Sequence, residues 1–390
     1  MKVLFIATVD PSGKSGHNIA TKEIISALIR NDQVELSLIC PYPDNETYIY
    51  QLADKLKKVF YLSSKKQLSF WWNFKIQLQM ITAIRSMLKK EKPDLVVTRI
   101  GNCLTLPFLI NFYKLPYYVL IRGVGSREIK NLSSFPGLHY FWKLVLLLNC
   151  RVAKQVLVAY EEVKEEVQRY RKPDQPEPVI FPNAVSAALF PPVNKLEARS
   201  IINLALKDYD FVIGYAGSIK KRHGLKYLIN ALDDLKSEIN NVQAVIVGDG
   251  PELENLKKEV NSKGLDDSII FTGFVEHEHV HLYMAASDIL YGVLDPEEVE
   301  NPIKCYEYLA SARPVITSQK KEFEFVAKNG FGEVISSLDD TEITEAIKKL
   351  YYLDQSERCH MGIKGREYVL KNHTWDKLTD YILSDYINSA

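Results

Sequence analysis

Three cations and a histidine crowd one short loop of this chain, Gly214-Tyr-Ala-Gly-Ser-Ile-Lys-Lys-Arg-His-Gly224, which grows out of the apolar run Phe211 to Tyr215. Charges in such a loop either sit in water or, beside a helix N-terminus, converge on phosphate; the second reading makes Gly217, Ser218, Lys221, Arg222 and His223 candidate ligands of a phosphorylated substrate. A second stretch, Asn301-Pro-Ile-Lys-Cys-Tyr-Glu-Tyr-Leu-Ala310, opens a helix in which Glu307 follows Lys304 by one turn. That spacing suits a helical ion pair. It also suits a division of labour in which the helix start at Pro302, with the amides of Ile303 and Lys304, faces a pyrophosphate and Glu307 accepts hydrogen bonds from ribose hydroxyls. Two glycine turns complete the set. Asp10-Pro-Ser-Gly-Lys-Ser-Gly-His17 lacks the glycine spacing of a P-loop, yet Gly13 and Gly16 would let backbone approach a phosphate. Val245-Ile-Val-Gly-Asp-Gly-Pro-Glu252 places Gly248 and Gly250 between a strand and a helix with Pro251 near its start.

Each of these turns follows a short run of Val, Ile and Leu without the alternation of a half-solvated strand: Val3 to Ala7, Leu95 to Thr98, Tyr117 to Ile121, Gln155 to Ala159, Phe211 to Tyr215 and Ala244 to Val247. Strands buried on both faces, alternating with helical patterns such as Gly16 to Arg30, belong to a doubly wound parallel sheet. In such sheets ligands bind outside the carboxyl ends of the strands, which is where the four turns fall.

The alternation breaks between Lys172 and Pro192, where six prolines gather, and then restarts. With 390 residues, more than one core usually supports, two α/β domains follow: 1–190 with a returning C-terminal helix 375–390, and 191–374. Lysine plus arginine and aspartate plus glutamate both total 49, so no overall field draws nucleic acid to the surface. The five scattered cysteines have no ligand spacing and read as free thiols of a reducing, cytoplasmic compartment. No apolar run approaches the roughly 20 residues needed to cross a bilayer. Phe70-Trp-Trp-Asn-Phe74 and the segment 135–151 set aromatics and leucines beside Lys65, Lys66, Lys75, Lys143 and Arg151. They read either as a surface for lipid headgroups or as packing within a helical layer.

Taken in order, Gly-Tyr-Ala-Gly-Ser with its later His-Gly, Ile-Val-Gly-Asp-Gly-Pro-Glu, Phe-Thr-Gly-Phe-Val, and Tyr-Glu-Tyr-Leu-Ala-Ser-Ala-Arg-Pro-Val-Ile-Thr resemble the family 4 glycosyltransferases of GT-B fold. Ile180-Phe-Pro-Asn-Ala-Val185 looks like that family's domain-closing segment. The resemblance implies two Rossmann-like domains facing a cleft, a nucleoside diphosphate sugar as donor, a glycan or lipid-linked glycan as acceptor, and transfer with retention and without a metal. It makes Glu307 the second glutamate of the family's pair, with Val299, flanked by Glu298 and Glu300, where the first would stand. Ser218 and His223 occupy the usual arginine and lysine positions, so Arg222, helped by Lys221, is the expected catalytic charge. Arg122 stands where many members carry a histidine and joins them as a candidate, while Gly16, Gly217, Ser218, His223, Gly248, Gly250, Pro302, Ile303, Lys304 and Glu307 are the expected donor ligands. No cofactor beyond the donor and no metal are implied, and the place of work is the cytoplasm, with contact at the inner face of the membrane. The departures at Ser218, Val299 and Arg122 keep two other readings open, a sugar-nucleotide epimerase of the same fold and a non-catalytic partner that retains it.

Overall fold

The structure, a computed structural model, describes residues 1–13, 15–43, 55–63, 70–99, 104–123, 138–204, 206–207, 210–295 and 302–388, with backbone alone for 70–74 and 138–139. It divides into two compact units, Met1–Asn183 with Trp375–Ala390, and Ala184–Thr374.

The first unit is a seven-stranded parallel sheet. Its strands are β1 (Lys2–Ala7), β2 (Glu35–Pro41), β3 (Lys58–Leu62), β4 (Leu95–Arg99), β5 (Tyr117–Ile121), β6 (Gln155–Val158) and β7 (Val179–Ile180), in the order β3-β2-β1-β4-β5-β6-β7. Strands β4, β5 and β6 are buried at every residue, as runs without alternation require when helices cover both faces. Helices α2 (Phe70–Lys90), α3 (Leu106–Tyr113), α4 (Leu138–Val152) and α5 (Glu161–Gln168) pack on one face. There Met80, Ile84, Ile110 and Leu146 meet Leu4, Val96, Val119 and Val156 of the strands. Helix α1 (Gly16–Arg30) is capped by the Ser15 side chain, which accepts from the amide of Asn18. It packs against the C-terminal helix, Trp375–Asn388.

In the second unit, β8 (Phe211–Ala216), β9 (Val242–Val247), β10 (Ile269–Gly273), β11 (Ile289–Gly292), β12 (Val315–Ser318) and β13 (Gly332–Ile335) form a parallel sheet ordered β10-β9-β8-β11-β12-β13. Its helices, in chain order, are α6 (Lys195–Ile202), α7 (Leu225–Leu235), α8 (Leu253–Ser262), α9 (His277–Ala285), α10 (Ile303–Ala310), α11 (Glu324–Asn329), α12 (Asp340–Tyr352) and α13 (Gln355–Asn372); the C-terminal helix of the first unit is α14. Both sheets reverse their winding direction once, between β1 and β4 in the first and between β8 and β11 in the second. Such a reversal opens a crevice at the carboxyl ends of the two strands.

The division falls at Asn183/Ala184, seven residues before the position that the prolines mark. Val185 bridges to Thr374, and Phe190, 1% exposed, sinks into a core with Val212, Tyr306 and Tyr308. Packing therefore assigns 184–190 to the second unit.

Candidate active site

The carboxyl ends of β8 and β11 gather most of the residues singled out above. The chain leaves β8 through Gly217 at φ 151° and makes a one-turn 3-10 helix, Lys221–His223, before α7. Gly248, at φ 133°, would place a Cβ 1.9 Å from the Gly217 carbonyl oxygen, so only glycine lets the turn after β9 seat against the turn after β8. Gly250 lies as tightly against the Ile219 carbonyl. The expected donor ligands Gly248 and Gly250 thus have a packing reason that involves no ligand.

Beneath Gly217 a small polar network sets the shape of the loop. The Tyr215 hydroxyl donates to the Ser218 carbonyl at 2.6 Å and lies 2.9 Å from His223 Nδ1, which is itself 2.5 Å from the same carbonyl. A carbonyl only accepts, so His223 carries its proton on Nδ1 and presents a lone pair at Nε2. Burial, then the charge of Lys304, with smaller contributions from Arg222 and Lys220, push this imidazole down to about 3 against the pull of the Ser218 carbonyl. His223 is therefore a neutral residue of the loop's frame at ordinary pH, not a stand-in for the lysine of the resemblance.

Lys304 comes from the first turn of α10. It is 8% exposed, and its ammonium sits 4.6 Å from the centre of the Tyr215 ring, a cation–π contact. Glu307, one turn on, does not pair with Lys304: its Oε1 accepts from His277 Nε2 at 2.8 Å. His277, the first residue of α9, escapes sequence reasoning because no spacing links it to Glu307 across 30 positions. Only one oxygen of the Glu307 carboxylate is occupied in this way among the described residues. The helix carrying both residues is anchored to the strand it faces, since the Tyr308 hydroxyl accepts from the Ala216 amide at 2.8 Å and donates to its carbonyl at 3.0 Å. Tyr291 of β11 donates to the Gly224 carbonyl at 2.9 Å, and the amide of Asp295 donates to the Arg222 carbonyl at 2.8 Å. Lys221 is exposed and Arg222 half-buried on the 3-10 turn. Lys220, Arg222 and Lys304 all act on His223, which makes this corner a preorganised patch of positive charge. Val299 and its neighbours Glu298 and Glu300 lie outside the described residues, as does Asn301.

Arg122 directly follows β5. It belongs to the first unit, where it is buried, donates to the Phe181 carbonyl and to Asn183 Oδ1 at 2.6 Å each, and lies 5.6 Å from the centre of the Trp375 ring. Its guanidinium ties the chain after β5 to residues 181–183 of the same unit. The crevice between β1 and β4 presents Arg99, 4% exposed, which donates to the His17 carbonyl, to Thr21 Oγ1 and, at 3.0 Å, to His17 Nδ1. An arginine only donates, so His17 offers its Nδ1 lone pair there and carries its proton on Nε2. Neighbouring Gly16 has open space about it. Among the described residues no group of three potential metal ligands occurs. The sequence holds one Asp-x-Asp triplet just before β8, Asp208 to Asp210, whose Asp210 accepts from the Lys207 amide at 2.7 Å at the amino end of that strand.

A parallel sheet whose reversal point offers glycine turns, a cationic loop and a helix bearing Lys304 and Glu307 defines an α/β unit of the GT-B kind. Residues 198–368 match the family described as "Glycosyl transferases group 1", and the second unit belongs to that family. Among curated proteins, a GDP-mannose-dependent alpha-(1-6)-phosphatidylinositol monomannoside mannosyltransferase of Mycobacterium tuberculosis is 29% identical over 176 residues, 42% of this chain and 45% of the relative. The alpha-monoglucosyldiacylglycerol synthase of Streptococcus pneumoniae is 30% identical over 123 residues, 32% of this chain and 27% of the relative. The chain thus spans less than half the length of these relatives. Over the whole chain and the whole of the other, sucrose-phosphate synthase from Thermosynechococcus elongatus superposes with a TM-score of 0.76 at 17% identity, and Anabaena HepE in complex with UDP with 0.76 at 16%. At that identity the likeness establishes the fold, two parallel α/β units of GT-B type.

Proposed function

We propose that this chain is a retaining, metal-independent glycosyltransferase that moves a sugar from a nucleoside diphosphate sugar to a glycan or lipid-linked acceptor. The observation that carries the proposal is the placement of Lys304 and Glu307 one turn apart on α10, with one carboxylate oxygen of Glu307 held by His277 and the other available to ribose hydroxyls. In this reading the donor diphosphate lies against Gly217, Ser218 and the start of α10. As the bond from the anomeric carbon to the diphosphate oxygen breaks, charge grows on that oxygen, and Lys304, Arg222 and Lys221 offset it, roughly 3 to 4 kcal/mol for each well-aimed donor. The acceptor hydroxyl bonds to the anomeric carbon on the face the diphosphate leaves, and a phosphate oxygen takes its proton, so no protein nucleophile is needed. Relatives named for GDP-mannose and a solved neighbour holding UDP support the donor class and leave the base open.

Calorimetric titration with UDP-, GDP- and ADP-sugars in buffer containing EDTA tests the reading. One donor is expected to bind, and Glu307→Ala to weaken it by about 1 to 3 kcal/mol, the loss of hydrogen bonds to a charged group. Unchanged affinity in that variant, or binding that appears only when Mg or Mn is restored, would count against it.

A further inference from the structure

Glu307 is 8% exposed, and a carboxylate so far from water needs a hydrogen-bond donor. Among the described residues that donor is His277, whose Nε2 lies 2.8 Å from Oε1. A carboxylate only accepts, so the imidazole carries a proton on Nε2. The ring is itself held. His277 opens α9, and its ring meets that of Phe190 with centroids 6.3 Å apart and planes at 73°, an edge-to-face contact. Phe190 is 1% exposed, and Arg366 of α13 donates both to its carbonyl, at 2.7 Å, and to the carbonyl of Ala310 at the end of α10. One guanidinium therefore ties the backbone behind the imidazole to the helix that carries the carboxylate. The Ser311 hydroxyl ties α10 to α9 as well, 3.0 Å from the Glu307 carbonyl and 3.3 Å from Met284 Sδ. Phe190, His277 and Glu307 thus make a line of fixed contacts that ends on one carboxylate oxygen. The other, Oε2, takes no hydrogen bond among the described residues.

We propose that His277 is a positioning residue that makes the site selective for ribonucleotides: by holding Oε1 it keeps Oε2 turned to the ribose hydroxyls, so that a nucleotide lacking them binds poorly. This role rests on the proposed donor binding, in which Glu307 holds the ribose. A site built around a substrate hydroxyl rejects the analogue without it because the site's own polar group is then buried and unpaired. That penalty requires a group that stays in place. A glutamate has several rotatable bonds, and an untethered one escapes the penalty by swinging toward water when the hydroxyl is missing. The imidazole closes that escape. It also does so as a hydrogen-bond donor on one edge only, which leaves the second oxygen of the carboxylate for the ligand.

The experiment is calorimetric titration of the full chain with UDP, GDP and ADP, followed by the 2′,3′-dideoxy form of whichever binds. Wild type should favour the ribose form about tenfold or more. His277→Phe keeps a ring against Phe190 and removes the donated hydrogen. It should weaken the ribose form about tenfold and leave the dideoxy form nearly unchanged, so that the preference collapses. His277→Gln, whose amide still donates, should keep most of the preference, and His279→Phe, exposed on the same helix, should alter neither affinity. In a Glu307→Ala background His277→Phe should change nothing further, the non-additivity of two residues that act as a unit. Thermal melting of each variant confirms its fold. Equal weakening of both nucleotide forms by His277→Phe would show a ring that merely supports the fold and would overturn the proposal. So would a preference that survives in His277→Phe, or one lost as fully in His277→Gln. A wild type that binds both forms alike would overturn it and leave nucleotide binding standing, whereas failure of all three nucleoside diphosphates to bind would remove the transfer reading and this role together.

Discussion

His223 shows how a residue suited to chemistry can be spent on geometry. Burial, and then three nearby cations, hold it at about 3 against an ordinary 6.5, although its Nδ1 is tied to the Ser218 carbonyl. His373, half-buried beside Tyr306, Phe325 and Tyr368, is held by that burial at about 4. In both cases the unfolded chain takes up a proton near pH 6.5 that the folded chain refuses, so stability is full above that value and falls as pH drops toward the folded values. Each histidine should contribute about 1.4 kcal/mol of loss per pH unit below 6.5. Melting temperature followed from pH 7 to 5, where carboxylates stay ionised, should therefore decline, and less steeply in a His223→Gln, His373→Gln variant. Parallel curves would mean that neither ring is as buried and tethered as described. The sequence could mark His223 as a member of the loop but not as its frame, because the partner that decides its role is a backbone carbonyl.

Among elements, the sequence revealed β8, β9 and α10 of those that position the site, but neither β11 nor the helix that carries His277. Long unalternating strands such as β4, β5, β8 and β9 announce burial on both faces, and the turns that follow them are rich in glycine and charge. The strands that escaped, β2, β3, β7, β11 and β13, are short or lie toward a sheet edge, and β13 reads Gly-Glu-Val-Ile with no run to detect. What could not be read at all was how elements are tied together. Helix α10 owes its placement to the Tyr308 hydroxyl, which both accepts from and donates to the backbone of Ala216, 92 positions away. Tyr308→Phe keeps the ring and removes both bonds, leaving two buried backbone groups short of a partner at about 1 to 3 kcal/mol each. Urea denaturation should register that loss. Nucleotide affinity should fall as well, because Lys304 and Glu307 ride on the released helix. A loss of stability with unaltered affinity would show that other contacts alone hold α10 in place.

At the scale of the molecule, the chain begins and ends in the same unit, and the last helix decides whether that unit can stand. Helix α14 buries Trp375, Leu378, Ile382 and Leu383 to 4% exposure or less, much of it toward α1. Its rim is pinned by Arg30 to Asp376 at 2.7 Å, by Asn31 to Asp380 at 3.3 Å and by the Tyr118 hydroxyl to Asp385. Those rim contacts are half-exposed at Arg30 and Asp376 and carry little. The four apolar side chains, at about 1.5 to 3 kcal/mol each, are worth roughly as much as the 5 to 15 kcal/mol that separates a folded domain from its unfolded chain. Residues 1–183 expressed alone should consequently fail to melt cooperatively, although they contain the whole seven-stranded sheet. Adding a peptide of residues 375–390 should restore a transition, its midpoint rising with peptide concentration by mass action. Residues 184–374, whose sheet and core are complete without α14, should melt as a single unit and keep the nucleotide affinity of the full chain. A cooperative transition in 1–183 without the peptide would show that the returning helix decorates the first unit instead of completing it.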